Sequence, residues 1–281
     1  MIRFGPAGNS QSFYNEGFKH TKQAAAWLKE RGLNAFEYSF GRGVRLKEET
    51  GRDIAAEFDA SGIAMSVHAP YYINFCTDDP EKREASINFL LQAMRAGTYL
   101  NAKRTVFHPG SCSKMDRETA KGYAMEAFKE ALERIKAEGL MGLPCPETMG
   151  KINQFGTLDE VLELCTLRED LVPTIDFGHL DARGIGAIKG RAEYEAILDA
   201  IENKLGRDRL RMMHVHFSKI EHTKAGEKRH VTFADEGFTP DFLPLAELVA
   251  ERDLTPVIIC ESAGTQAEDA LAMKEMYESF R

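Results

Sequence analysis

Short runs rich in β-branched and aromatic residues alternate along the chain with longer stretches of helical period. IRFG at 2–5, AFEYSF at 35–40, IAMSVH at 63–68, RTVFH at 104–108, GLPCPE at 142–147, VPTID at 172–176, RMMHVHF at 211–217 and PVIICE at 256–261 read as strands. Between them HTKQAAAWLKERG ends at Gly32 as a glycine-capped helix would. PEKREASINFLLQAMRAGTYL starts on Pro80 after Asp79, and DRETAKGYAMEAFKEALERIKAEG runs from Asp116 to Gly139 with both signals. The rhythm is βα, about eight times, and it predicts an α/β protein: a single-domain (β/α)8 TIM barrel over residues 1–281. A doubly wound open sheet fits the alternation too, but it would carry a Gly-rich phosphate turn after its first strand, and GPAGNSQS approximates one poorly.

Composition narrows the functional classes. Prolines and glycines are scattered and no linker, Gly/Ser- or Pro-rich tract or charged tail interrupts the chain. The net charge of -8 disfavours indiscriminate attraction to a polyanion, although local basic patches or bound cations can reverse it at a site. No run approaches a membrane span and MIRFGPAGN is not a leader, so a cytoplasmic location is expected; a monomer is the default expectation. Five cysteines, with no C-x-x-C pair, indicate neither a disulfide framework nor a thiolate zinc site. Cys112 and Cys260 stand beside residues of interest, and a nucleophilic role for them is disfavoured.

The strand ends carry the chemistry. Reading the last residue of each run gives His68, His108, Glu147, Asp176, His214 or His216, and Glu261. In a barrel these ends converge on one mouth. A lone histidine there is ordinarily a satisfied capping residue, but so many imidazoles and carboxylates cannot be buried unpaired without a cost of several kcal/mol. Divalent metal ions remove that cost, and nitrogen plus oxygen donors without thiolate suit zinc, manganese or iron(II). Strand alternation puts His214 and His216 on one face, so either can be the ligand. In DFGH, His179 follows Asp176 closely enough for the two to serve neighbouring ions.

HAPYYIN, FHPGS, PETMG, IDFGH, MHVHFSK and CES, in this order from about residue 60 to 262, resemble the endonuclease IV family of apurinic/apyrimidinic endonucleases, within the xylose isomerase-like barrel superfamily. The resemblance implies two or three divalent ions, zinc foremost, and cleavage of abasic-site DNA by a hydroxide generated at the metals. It implies that His68 and His108 bind one ion, that Glu147 bridges it to a second completed by Asp176, His214 and Glu261, and that His179 and His230 belong to a third. Glu147 and Glu261 would be the catalytic carboxylates, and Tyr71, Ser111 and Arg42 would meet the substrate.

Three departures qualify the expectation. The family's D-R-H loop reads Lys228-Arg229-His230, so an aspartate ligand is missing unless Glu227 replaces it. The Arg-containing recognition loop after the second strand is replaced by SFGRGVR, in which Arg42 and Arg45 remain. Glu37 places a carboxylate within the second strand, either as a buried acid paired with a lysine or arginine or in the service of sugar chemistry. Two other readings therefore stand beside phosphodiester cleavage. One is a metal-dependent sugar isomerase or epimerase, in which Glu147 or Glu261 moves a proton next to a carbonyl; the other is a metal-binding protein without catalysis.

Overall fold

The computed structural model describes residues 1–281. Eight parallel strands carry the fold: β1 Arg3–Pro6, β2 Ala35–Ser39, β3 Ala64–His68, β4 Arg104–Phe107, β5 Leu143–Pro146, β6 Thr174–Asp176, β7 His214–Phe217 and β8 Val257–Cys260. They form two four-stranded arcs, β1-β8-β7-β6 and β2-β3-β4-β5. Parallel bridges Ala7–Glu37 and Glu147–Thr174 join the arcs, and the ring closes as the alternation predicted.

The β1–β2 seam needs Gly5. A Cβ there would lie 1.8 Å from the Ala35 carbonyl oxygen, a backbone atom that cannot rotate away. The helices begin where their caps are written. Asp79 accepts from the Glu81 and Lys82 amides at the start of Pro80–Tyr99, and Asp116 accepts from Thr119 N at the start of Arg117–Ala137. Leu158–Cys165 opens with a Thr157–Glu160 capping box. Gly32, left-handed at φ 73°, follows Ala24–Glu30. No helix is long and apolar enough to cross a membrane.

Helices bury their apolar faces on the outside of the ring, where Phe75, Phe107 and Phe128 pack ring to ring. Inside, near the mouth, the ring is polar: Glu37, Ser66, Thr174, Asp176, His214 and His216 are all buried. Such an interior is normally filled by branched apolar side chains, so the substitution needs a chemical reason. The observed strands are shorter than the sequence runs. The run from Arg211 begins its strand only at His214, because Arg207–Arg211 closes a short helix first. His108, Glu147 and Glu261 each sit one residue beyond their strand, on the rim.

Candidate metal centre

Glu147 stands at the middle of the rim and is buried. Its Oε2 lies 3.1 Å from His68 Nε2 and 3.2 Å from His108 Nε2, and its Oε1 lies 3.1 Å from His216 Nδ1. Five overlapping groups of donor atoms, each within 4.8 Å of one another, adjoin here, and three of them carry the rim: His68, His108 and Glu147; Glu147, Asp176, His216 and Glu261; and His179, Glu227 and His230. Glu147 is common to the first two. The far nitrogen of most of these rings is anchored: His68 Nδ1 on the Ala69 carbonyl at 2.8 Å, His179 Nδ1 on the Thr148 carbonyl at 2.9 Å, and His230 Nδ1 on Ser218 Oγ at 2.7 Å. Each anchor leaves the other nitrogen turned toward the cluster.

Register separates the two histidines of β7. His216 is level with Asp176 of β6 and Ile259 of β8, at the rim, whereas His214 is level with Thr174 and Val257, one layer deeper. Of the two, His216 joins the second group, in the place that the resemblance gave to His214, while His214 points at Glu37, 3.0 Å from its Oε2, and shares a deeper donor group with Glu37 and His216. Glu37 has neither a lysine nor an arginine partner of its own; it pairs with His214, with His216 and with Ser66 Oγ at 2.7 Å.

The third group depends on a bulge. His222 to Val231 forms part of a hairpin, Lys219–Thr223 with Gly226–Val231, in which Glu221 pairs with Arg229 but His222 pairs with Glu227. Lys228 is the extra residue, so alternation slips by one and Glu227 joins the face of His230. Lys228 and Arg229 share the other side, both reaching Glu221, at 2.6 and 2.7 Å. Glu227 Oε2 comes to 3.5 Å from His179 Nε2, so Glu227 stands where the motif lacks its aspartate. Gly150 makes room, since a Cβ on it would lie 2.6 Å from Glu227 Cβ and 2.9 Å from His179 Cδ2. Gly150→Ala is expected to displace Glu227 and to lower by one the number of divalent ions taken up at saturation, counted by elemental analysis.

The remaining expected residues divide. Tyr71 lines the cavity at the mouth, 53% exposed. Ser111 does not line it: its hydroxyl donates to the Asn153 carbonyl at 3.1 Å and tethers a two-residue ribbon, Gly110–Ser111 with Gln154–Phe155. Arg42 is exposed beside the cavity rather than within its wall. Lys151 and Gln154 do line it and were missed, because nothing in KINQ distinguishes them from loop polar residues. All five cysteines are buried, and burial pushes the Cys145 and Cys260 thiols up to about 12, away from the thiolate form that a nucleophile needs.

The sequence profile of the xylose isomerase-like TIM barrel family matches residues 25–280. The chain belongs to that family. A Methanocaldococcus jannaschii protein of uncharacterised function, MJ0133, is 34% identical over 276 residues, covering 98% of this chain and 96% of that one. A probable endonuclease 4 of Staphylococcus carnosus is 29% identical over 201 residues, 69% of this chain and 64% of that relative, so less than two thirds of its length is spanned. Among solved structures, endonuclease IV from Thermus thermophilus superposes with a TM-score of 0.67 at 18% identity, over 99% of this chain and 98% of that one. A D-tagatose 3-epimerase-like protein superposes with a TM-score of 0.73 at 17% identity, over 99% and 97%.

Whether this xylose isomerase-like barrel suits divalent ions is decided by its donors. Asp176 Oδ2 is buried without a hydrogen bond, and four carboxylates, Glu147, Asp176, Glu227 and Glu261, share the space. Burial alone would raise Glu147, yet His216 and His108 hold it well below the usual carboxylate range. Burial would lower His68, yet its hydrogen bond to Glu147 raises it to about 9. Glu147 thus stays ionised while it holds a proton on His68. Divalent ions provide the same compensation with better-matched charge, and the nitrogen–oxygen set without sulfur suits zinc, manganese or iron.

Proposed function

We propose that the protein is a divalent-metal-dependent phosphodiesterase acting on nucleic acid, with abasic-site DNA the foremost substrate. One observation carries the reading: a third donor group, His179–Glu227–His230, flanks the pair that shares Glu147. Chelating the hydroxyl and carbonyl oxygens of a sugar uses one or two ions. A phosphodiester offers two non-bridging oxygens, a leaving oxygen and a site of attack, which a row of three positions accommodates. When bound, the ions supply positive charge for those oxygens and a water acidic enough to attack near neutral pH.

The chain's own residues do the rest. His68, His108 and Glu147 would hold the first ion, Glu147, Asp176, His216 and Glu261 the second, and His179, Glu227 and His230 the third. Lys151 and Gln154 donate from the cavity wall toward anionic oxygens, and the exposed ring of Tyr71 offers a stacking face for a sugar or base. Arg42 and Arg45 lie beyond the rim near Tyr72, where a flanking phosphate would pass. No cysteine or serine is needed as nucleophile.

The size of the mouth favours a second reading. A cavity of about 430 Å3 suits a small sugar-like molecule, and a carboxylate such as Glu261 at its wall can move a proton. A nicking assay on an abasic oligonucleotide duplex with zinc or manganese separates the two. The expected result is cleavage beside the abasic site, slowed on the order of 10²-fold or more by Glu261→Gln. No nicking, with turnover of a ketose instead, would transfer the site to isomerase chemistry.

A further inference from the structure

Beneath the rim lies a buried polar chain that donates in one direction. Arg104 has hydrogens to give and no lone pair to receive. Its Nη1 lies 3.1 Å from the Met213 carbonyl and 3.3 Å from His214 Nδ1, and its Nη2 reaches the Met212 carbonyl. His214 Nδ1 must therefore accept, so the ring proton sits on Nε2 and is donated to Glu37 Oε2 at 3.0 Å. Ser66 Oγ lies 2.7 Å from the same oxygen. With Oε2 taken by two partners, Oε1 is left to face His216 Nε2 at 2.9 Å. That approach is oblique to the ring N–H, and neither atom has an aligned hydrogen bond elsewhere. Charge and proximity, more than a linear bond, tie the ring to Glu37.

We infer that Glu37 is a positioning residue that keeps the Nε2 proton of His216 and so presents its Nδ1 to a metal, making the Glu147–Asp176–His216–Glu261 group the first to fill. The inference rests on the metal-dependent reading of the rim. His68 and His230 are backed by neutral oxygens, a carbonyl and a hydroxyl, and His179 by the Thr148 carbonyl with Asp176 Oδ2 3.3 Å from the same nitrogen, whereas His216 is backed by Glu37, a buried carboxylate outside the three groups at the rim. A carboxylate behind an imidazole makes it a more basic ligand than a carbonyl does. Glutamine at 37 would keep the shape but present one accepting oxygen to the three donors of His214, Ser66 and His216. One of them must then turn away or change tautomer.

Titration with zinc against a chromophoric chelator tests this. Wild type should fill one position well before the others. Glu37→Gln should weaken that first step 10- to 100-fold, with the number of ions at saturation unchanged, because a positioning role leaves every ligand of the rim in place. His214→Gln, which keeps a donor for Glu37 and an acceptor for Arg104, should retain wild-type affinity. Long-range ¹H–¹⁵N spectra of the zinc-loaded wild type, which need no variant to fold, should show His216 protonated at Nε2. A first-step affinity in Glu37→Gln within twofold of wild type, a lost equivalent, or zinc on His216 Nε2 would overturn the role of Glu37. A wild type that takes up no divalent ion would instead remove the metal centre itself, and this inference with it.

Discussion

Glu147→Gln is expected to be the most damaging single substitution at the rim, slowing phosphodiester cleavage on the order of 10³-fold and reducing the number of ions retained. Removing an outer partner of a metal ligand costs 10- to 100-fold, and removing a ligand shared by two positions should cost more. Glu147 meets His68 and His108 through one oxygen and His216 through the other, so each oxygen serves a different group. An amide keeps the volume but offers one accepting oxygen and no charge. Its NH2 would be aimed at whichever group lost the oxygen. The effect should exceed that of Glu261→Gln, since Glu261 belongs to the second of these three groups and not to the first or the third. Elemental analysis and the nicking assay on the same preparations check both parts. A variant that kept its ions and its rate would show that the two groups do not act through a common carboxylate.

Much of this rim was legible because of how a barrel is built. A strand of period 2 and a helix with written caps fix where each βα unit ends, and the ends of eight parallel strands meet at one mouth. His68, His108, Glu147, Asp176 and Glu261 were therefore readable from position alone. His214 and His216 were not separable, since alternation gives a face and not a depth; depth comes from register with Asp176 and Thr174 across β6. Glu227 was obscured for the opposite reason. Regular alternation from His230 selects Lys228, and only the bulge, set by pairing with Glu221 and His222, selects Glu227. Ser111 misled because a hydroxyl beside a ligand strand reads as a substrate contact, while its partner, the Asn153 carbonyl, arrives from 42 residues away. Glu37 was seen as a buried acid, but its partners were sought among lysines and arginines when β7 supplied imidazoles.

Supplying zinc should stabilise the fold strongly, and it should reverse the direction in which pH acts. An ion held only by the folded rim, at a free concentration 1,000 times its dissociation constant, adds about 4 kcal/mol per site. For a chain of this length that is about 7 °C in Tm for each site filled. With a chelator present, compensation comes from protons on the imidazoles. His68, raised to about 9 chiefly by Glu147 against the opposing effect of burial, contributes stability that is fully present below its ordinary value near 6.5. That contribution is lost as the pH rises through about 9. With zinc present the sign is opposite over the same window, because the ion must displace those protons and binds more tightly as they leave. Melting curves at pH 6.5 and pH 9, with zinc and with chelator, should therefore diverge: the gap in Tm widens toward pH 9. Curves that ran parallel would mean that the ions and the imidazole protons do not compete for the same nitrogens, and the rim would then be an ion-pair network rather than a metal centre.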